Sequence, residues 1–141
     1  AGRRINNGMA SYVVSQLIKK MSNQKIEVSG SRALIMGLTF KENCPDIRNT
    51  KVIDIVDELK EYEVNVDIMD PWCNPLEAAE EYGLTVSQTM EEGMYDSILV
   101  AVAHDEFKTM GIKAIRKLGR LKHVLYDLKC VLAKDDVDLR L

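Results

Sequence analysis

Several features that mark large classes of protein are missing from this 141-residue chain. No apolar run approaches the roughly 18 residues of a membrane helix, and the first residues lead into no signal-peptide core. Lys and Arg number 19 against 22 Asp and Glu, a net charge of −3, whereas nucleic-acid binding usually needs a basic face. From these absences we expect a cytoplasmic protein with neither a membrane nor a nucleic acid as partner.

Cysteine is scarce and is not spaced as in a disulfide framework or a zinc site. The three cysteines, Cys44, Cys73 and Cys130, are odd in number and form no Cys-x-x-Cys pair. His104 and His123 lie apart from any cysteine pair or carboxylate cluster with ligand spacing. We therefore expect reduced thiols and no metal site.

The glycine fingerprint of a complete dinucleotide site is also absent. Gly37 stands alone at the end of the first predicted strand, and no Gly-x-Gly-x-x-Gly follows it. That fingerprint brings the backbone close to a pyrophosphate at a helix N-terminus. A complete NAD site therefore cannot be assigned to this chain.

Strand and helix patterns alternate along a sequence of ordinary globular composition, with 46% hydrophobic and 29% charged residues. Predicted strands cover 32–37, 64–69, 84–86, 97–102 and 123–127. Predicted helices cover 4–22, 52–59, 75–82 and, with a break, 107–118, and a turn of helix capped by Ser87 covers 87–93. Continuous apolar strands separated by helices favour a parallel sheet covered on both faces. We predict a doubly wound, Rossmann-like α/β domain preceded by a long amphipathic helix.

The loop between the first strand and the next helix carries two cations, Lys41 and Arg48, seven residues apart. It closes at Asn49 and Thr50, residue types that cap helices. Backbone N–H groups and the positive end of a helix dipole converge at such a place, so an anion is favoured there. The loop is predicted to hold phosphate.

Other interpretations of this loop remain open. Lys41 and Arg48 could instead pair with Glu42 and Asp46 in a solvated loop. Asp46 could orient the Arg48 guanidinium, or it could close an Asx-type turn, which we favour. The next acidic loop, Asp70-Pro71-Trp72, is interpreted as a turn with Trp72 packed at the domain edge, and His104 as a cap on the following helix.

Four motifs carry a resemblance to a known family. They are Gly-Leu-Thr-Phe-Lys at 37–41, Pro-Asp-Ile-Arg-Asn-Thr at 45–50, Val-Asp-Ile-Met-Asp-Pro-Trp at 66–72 and Ala-His-Asp-Glu-Phe at 103–107. They resemble the carboxy-terminal domain of the UDP-glucose/GDP-mannose dehydrogenase family, and residues 2–9 are similar to the family's central helix. Asn-Cys-Pro-Asp and Asp-Pro-Trp are most similar to the enzymes that act on UDP-N-acetylhexosamines.

The resemblance implies a domain organisation and an activity. Residues 1–24 would end the central linking and dimerisation helix, and residues 25–141 would form the UDP-sugar-binding domain. The family's enzymes use NAD to oxidise the C6 hydroxyl of a nucleotide sugar to the uronate, for polysaccharide precursors. Neither their amino-terminal Rossmann domain nor their Gly-Gly-x-Cys-x-Pro-type nucleophile segment occurs in this sequence. We expect the last third of such an enzyme, inactive without its amino-terminal NAD-binding domain.

The resemblance also implies roles for individual residues. The backbone of Phe40 and the ammonium of Lys41 would contact the nucleotide-sugar diphosphate, and Arg48 would reach the NAD pyrophosphate. Lys129 falls where some members have an arginine near the nucleotide, although Tyr-Asp-Leu-Lys-Cys at 126–130 departs from their pattern.

Arg3 and Arg4 would line the substrate cleft or contact a neighbouring subunit, with a solvated helix end as the alternative. The first helix would contribute to a homodimer, or it would fold back on its own domain.

A function of another class is a receiver-like regulatory module, which the length and predicted topology allow. A receiver needs paired acids after its first strand to bind magnesium. Here that strand is followed by Gly-Leu-Thr-Phe-Lys at 37–41, which points away from this alternative.

Overall fold

The computed structural model describes residues 8–141. The helices are α1 (Gly8–Asn23), α2 (Val52–Glu61), α3 (Pro75–Tyr82) and α4 (Asp105–Arg116). The strands are β1 (Arg32–Met36), β2 (Asn65–Met69), β3 (Val86–Ser87), β4 (Tyr95–Val100), β5 (Gly119–Asp127) and β6 (Leu139–Arg140), and a 3₁₀ turn covers Lys134–Asp136. No helix among these residues is long and apolar enough to cross a membrane.

All six strands form one parallel sheet in the order β3-β2-β1-β4-β5-β6. The order reverses between β1 and β4, where Ala33 pairs with Ser97 and Met36 with Val100. Loops that leave neighbouring strands in opposite directions open a crevice at such a switch point. The topology thus places the loops after β1 and β4 side by side.

Helices cover both faces of the sheet, which confirms the predicted doubly wound fold. One apolar cluster joins α1, α2 and α3 to the sheet through side chains such as Leu17, Val56 and Ala78. The other joins α4 to the opposite face through Phe107 and Ile115. Because β1 and β4 are buried on both faces, residues 33–36 and 98–100 are continuous apolar runs rather than alternating ones.

The first helix packs on its own domain. Five of its side chains, Ala10, Val13, Val14, Leu17 and Met21, are buried in the cluster shared with α2. Met9 and Tyr12 remain more than half exposed, at 59% and 54%. The start of the predicted helix, including Ile5, lies outside the described residues.

Apart from the short 3₁₀ turn, three elements differ from their prediction by more than two residues. Residues 87–93 form no helix, because the Ser87 hydroxyl closes a tight turn with the backbone of Thr89. Strand β5 begins at Gly119 rather than at 123, and β6 was not predicted. A two-residue strand held by neighbours leaves no period in a sequence. The predicted break in α4 is confirmed at Gly111, whose φ is 79°.

Gly37 allows the loops after β1 and β4 to approach each other. Its φ is +105°, and a Cβ placed there would lie 2.5 Å from Cβ and 2.9 Å from the backbone nitrogen of Val102. Only glycine combines that backbone angle with that proximity.

We expect Gly37→Ala to lower the free energy of unfolding by about 3 kcal/mol, the sum of a positive-φ penalty and a backbone clash. Gly30→Ala is the matched control, because Gly30 has a φ of +83° and open space around the position of a Cβ. It should cost only about 1 kcal/mol. Urea denaturation of both variants measures the difference, and equal losses would show that the contact with Val102 is unimportant.

Candidate functional site

A cavity of about 340 Å³ lies at the carboxyl ends of the central strands. The loops after β1, β4 and β5, the first turns of α1 and α2, and the end of the chain all contribute to its wall. The lining residues are Met9, Val13, Thr39, Phe40, Lys41, Glu42, Thr50, Lys51, Val52, Ile55, Ala101, Val102, Ala103, Leu128, Lys129 and Leu141. The cavity therefore occupies the switch point, where open α/β sheets bind ligands.

Three residues singled out in the sequence meet in this cavity. Phe40 and Lys41 follow β1 and Lys129 follows β5, nearly ninety positions later, and all three are exposed at the wall. Lys51, which the sequence analysis did not select, adds a third ammonium beside the start of α2. In the sequence, its position next to Thr50 at a predicted helix start was the feature that could have identified Lys51 as a site residue.

The chemistry of the wall is mixed. Lys41, Lys51 and Lys129 supply three cations against one carboxylate, Glu42. Met9, Val13, Ile55, Val102 and Leu128 supply apolar surface. Such a wall suits a ligand with an anionic group joined to a flat, weakly polar ring.

Arg48 lies outside the residues that line the cavity. Its Nε is 3.0 Å from Oδ1 of Asp46 and its Nη2 is 3.2 Å from Oδ2, a bidentate pair. Asp46 Oδ1 also accepts the Arg48 backbone N–H at 2.9 Å, so the carboxylate both orients the guanidinium and closes an Asx turn. The hydrogen bond from the Arg48 side chain lowers the pKa of Asp46.

One of the two ion pairs proposed for a solvated loop is therefore present. Arg48 pairs with Asp46, and 78% of the Arg48 side chain is exposed. Within residues 8–141 no ion pair joins Lys41 to Glu42. Lys41 is directed to the cavity while Arg48 is held at the surface, so the two cations occupy separate places.

Asn49 and Thr50, the two residues predicted to cap α2, have different roles in the structure. Thr50 Oγ1 accepts the backbone N–H of Val52, the first residue of α2, at 3.3 Å. Asn49 instead takes a left-handed conformation with a φ of 61°. Asn43, near the other end of the loop, is also left-handed, with a φ of 54°.

The carboxylate of Asp70 is the most heavily used acceptor near the cavity. Oδ2 accepts the backbone N–H groups of Leu38 at 2.7 Å and Thr39 at 3.0 Å. Oδ1 accepts those of Trp72 at 2.7 Å and Cys73 at 3.1 Å. The side chain is fully buried, and its bonds to Trp72 and Cys73 confirm its place in a turn.

The protonation of Asp70 follows from these contacts. Burial by itself raises the pKa of a carboxyl group. The hydrogen bonds from His104, Leu38 and Thr39 outweigh burial and leave the pKa of Asp70 below its ordinary value. A buried anion therefore ties the loops after β1 and β2 together.

His104 completes this arrangement, but not as predicted. It directly precedes α4, yet its side chain makes no capping hydrogen bond. The ring is fully buried, with Nε2 3.0 Å from Asp70 Oδ2. The ring of Trp72 stacks on it at 6.2 Å between centroids, and Trp72 Nε1 donates to Glu106 at 2.9 Å. Instead of capping α4, the imidazole forms a buried contact with the Asp70 carboxylate.

Asp127 plays a similar part after β5. Its Oδ1 accepts the backbone N–H groups of Lys129 at 3.1 Å and Val131 at 3.2 Å, and its Oδ2 accepts that of Leu132 at 2.8 Å. The side chain is buried. The turn that carries Lys129 to the cavity is thus also formed around a buried carboxylate.

Arg3 and Arg4 lie outside the described residues. Burial and the nearby charge of Asp70 raise the pKa of the Cys73 thiol to about 11. Among residues 8–141 no group of three or more His, Cys, Asp or Glu side chains could hold a metal ion.

Sequence comparison identifies the family. Residues 34–134 match the UDP binding domain of the UDP-glucose/GDP-mannose dehydrogenase family. The chain therefore belongs to this family, and the resemblance seen in the motifs is confirmed. The match includes the loops that carry Phe40, Lys41 and Lys129 to the cavity.

Two curated relatives match the whole chain. The UDP-N-acetyl-D-glucosamine 6-dehydrogenase of Pseudomonas aeruginosa is 60% identical over 141 residues, which are 33% of its own length. The UDP-N-acetyl-D-glucosamine 6-dehydrogenase of Salmonella typhi is 53% identical over the same 141 residues, again 33% of its length. The chain thus spans about a third of these relatives.

Solved structures agree on the fold. The UDP-N-acetyl-mannosamine dehydrogenase Cap5O from Staphylococcus aureus has a TM-score of 0.71 at 27% identity, over 99% of this chain and 31% of that one. The NDP-N-acetyl-D-galactosaminuronic acid dehydrogenase from Methanosarcina mazei has a TM-score of 0.79 at 20% identity, over 95% of this chain and 28% of that one. The second likeness bears on fold alone.

We expect Asp70→Asn to lower the free energy of unfolding by about 3 kcal/mol at neutral pH, since an amide cannot accept all five bonds. The pKa of Asp70 is lower in the folded chain. Its ionised form therefore stabilises the fold above the unfolded value of about 3.9, and this contribution is lost as the pH falls through the folded value. The difference between parent and variant should accordingly shrink on acidification.

Asp46→Asn is the control, because the pKa of Asp46 is also lowered but its carboxylate lies at the surface. Urea titrations at several pH values measure both variants. A similar loss for the two would contradict the central position given to Asp70.

Proposed function

We propose that the cavity binds the UDP part of a nucleotide sugar. The observation that carries this proposal is the meeting of Phe40, Lys41 and Lys129 in one cavity at the switch point. Its cationic and apolar wall has the character that a diphosphate joined to a uracil ring requires. Membership of a family named for its UDP binding domain supports the same ligand.

Each residue has a distinct part in the proposal. Lys41 meets the diphosphate as a compact charge, the backbone of Phe40 contacts it, and Lys129 approaches it from the loop after β5. Arg3 and Arg4 would contact the substrate, as the family resemblance implies.

Arg48 is proposed to face the NAD pyrophosphate. Its guanidinium is oriented by Asp46 and exposed at the surface, which fits one side of a pyrophosphate held mainly by another domain. NAD would supply the hydride acceptor, and this chain would supply charge and position.

We further propose that the complete protein is an NAD-dependent UDP-N-acetylhexosamine 6-dehydrogenase for polysaccharide precursors. Two relatives at 60% and 53% identity carry such a name. Residues 25–141 would be its UDP-sugar-binding domain and residues 1–24 the end of its central helix. Cys44, Cys73 and Cys130 are free, which fits the reducing cytoplasm.

A homodimer through the first helix belongs to the same proposal. Met9 and Tyr12 leave apolar surface uncovered on α1, although Val13 is buried against the domain. Exposed apolar patches of this kind favour association. A strict monomer at high concentration in sedimentation velocity would count against it.

The receiver-like alternative has no support from the comparisons. Its magnesium site would need acids after β1, and the cavity wall there contains Lys41. Phosphotransfer to the chain in the presence of magnesium would revive this alternative.

We expect Lys41→Ala to weaken the binding of UDP-N-acetylglucosamine by about 1–3 kcal/mol, the scale of a hydrogen bond to a charged group. Lys122→Ala is the matched control, because Lys122 is exposed at the opposite edge of the sheet. Calorimetric titration measures both variants. Equal affinities for Lys41→Ala and the unaltered chain would mean that the diphosphate lies elsewhere.

Arg48→Ala should change the affinity of this chain for the UDP-sugar little, because Arg48 does not line the cavity. In a complete enzyme the same change should raise the concentration of NAD required. A loss of UDP-sugar affinity as large as that of Lys41→Ala would contradict the separation of the two cations.

We expect the 141-residue chain to form no NADH from NAD and any nucleotide sugar, since its sequence contains neither the nucleophile segment nor the glycine fingerprint. Absorbance of NADH measures this directly. Sustained NADH formation by the pure chain would overturn the assignment of catalysis to another part of the enzyme.

A further inference from the structure

We propose that His104 is a positioning residue for the loop that carries Lys41, and that through this loop it sets the affinity of the cavity for a nucleoside diphosphate. The inference rests on the proposed function of the cavity. His104 itself does not line the cavity. It acts from the buried side of the loop, through hydrogen bonds to both ends of the segment from Thr39 to Asn43.

The hydrogen bonds determine which ring nitrogen of His104 carries the proton. The backbone N–H of Asn43 is 3.0 Å from Nδ1 and can only donate, so Nδ1 accepts. Nε2 therefore carries the hydrogen. It lies 3.0 Å from Asp70 Oδ2 and 3.1 Å from Thr39 Oγ1, so it donates to both.

These bonds continue to the backbone of Lys41. Thr39 Oγ1 accepts from His104 and donates its own hydrogen to the Lys41 carbonyl at 3.1 Å. At the other end, Asn43 Oδ1 accepts the backbone N–H of Asp105 at 3.0 Å. Lys41 thus lies between two attachment points that both lead to the start of α4.

The imidazole is a rigid support because its surroundings leave it no freedom. The side chain has no exposed surface. Trp72 stacks on it with 27° between the ring planes, and the edge of Phe107 meets it at 5.4 Å between centroids. The exposed loop residues Phe40 and Lys41 therefore take their positions from a fully packed group.

Loss of the bond from the Asn43 N–H to His104 would leave that end of the loop held only by the bond between the Asn43 side chain and Asp105. A loop held less firmly at one end occupies the binding-competent form for a smaller part of the time, and the apparent affinity falls by that fraction. A neutral hydrogen bond of typical strength corresponds to about a fivefold change.

Two substitutions separate the two nitrogens. In His104→Asn the amide oxygen lies near the place of Nδ1 and can still accept the Asn43 N–H. In His104→Gln the amide nitrogen lies near the place of Nε2 and can still donate to Asp70, while the acceptor for Asn43 is lost. Both variants should lose stability. Only His104→Gln should bind UDP about fivefold more weakly, because in His104→Asn the Thr39 end of the loop keeps its backbone bond to Asp70. His104→Asn should bind within about twofold of the unaltered chain.

A second pair of variants avoids the buried site. Asn43→Gly keeps the left-handed backbone and removes the side-chain bond to Asp105. Asn49→Gly is its control, because Asn49 is the other left-handed asparagine of the same loop. Asn43→Gly should weaken UDP binding severalfold, and Asn49→Gly should leave it unchanged.

Amide hydrogen exchange tests the attachment without any ligand. Exchange at Asn43 should be faster in His104→Gln than in His104→Asn, while the amides of β1 stay protected in both. Equal exchange, or equal UDP affinity in the two variants, would overturn the positioning role. Failure of the unaltered chain to bind UDP would instead overturn the proposed function of the cavity. The two failures are distinguishable, because one is seen in the unaltered chain and the other in the comparison of the two variants.

Discussion

The fully buried carboxylate of Asp70 is the interaction on which this edge of the domain depends. It accepts four backbone N–H groups and the Nε2–H of His104, from loops that follow three different strands. A buried charge is tolerated only when its lone pairs are occupied by donors. The loops after β1, β2 and β4 therefore cannot move independently without leaving an anion unsatisfied.

The shape of the cavity depends on the buried carboxylate of Asp70 and on a second buried carboxylate, that of Asp127. Asp127 orders the turn after β5 in the same manner, and this turn brings Lys129 to the wall of the cavity that Lys41 also lines. Gly37 adds close contact with Val102, which no side chain at that position would permit. The ammonium groups of Lys41 and Lys129 thus extend from loops whose backbones are fixed by hydrogen bonds to buried side chains. This arrangement suits an anionic ligand.

Predictability of the elements followed the clarity of their apolar pattern rather than their length. The strand before Gly37, the helix from Val52 and the helix at 75–82 are predicted from the sequence, because their apolar patterns carry their own signal. The nine-residue β5, whose first half is largely polar and exposed, is predicted to begin only at 123. The turn after Ser87 was mistaken for a helix, since a serine caps either kind of structure. Strand β6 depends on pairing with β5 and is invisible without it.

The sequence by itself determined the parallel α/β fold, the family, and the two cations of the first loop, since apolar period and local motifs are properties of neighbouring residues. Only the tertiary structure decided that Lys41 joins Lys129 and Lys51 in a cavity while Arg48 stays outside it. It also decided that His104 serves the loop rather than its own helix. Contacts between residues more than sixty positions apart depend on strand order, and strand order is not written in any one stretch of sequence.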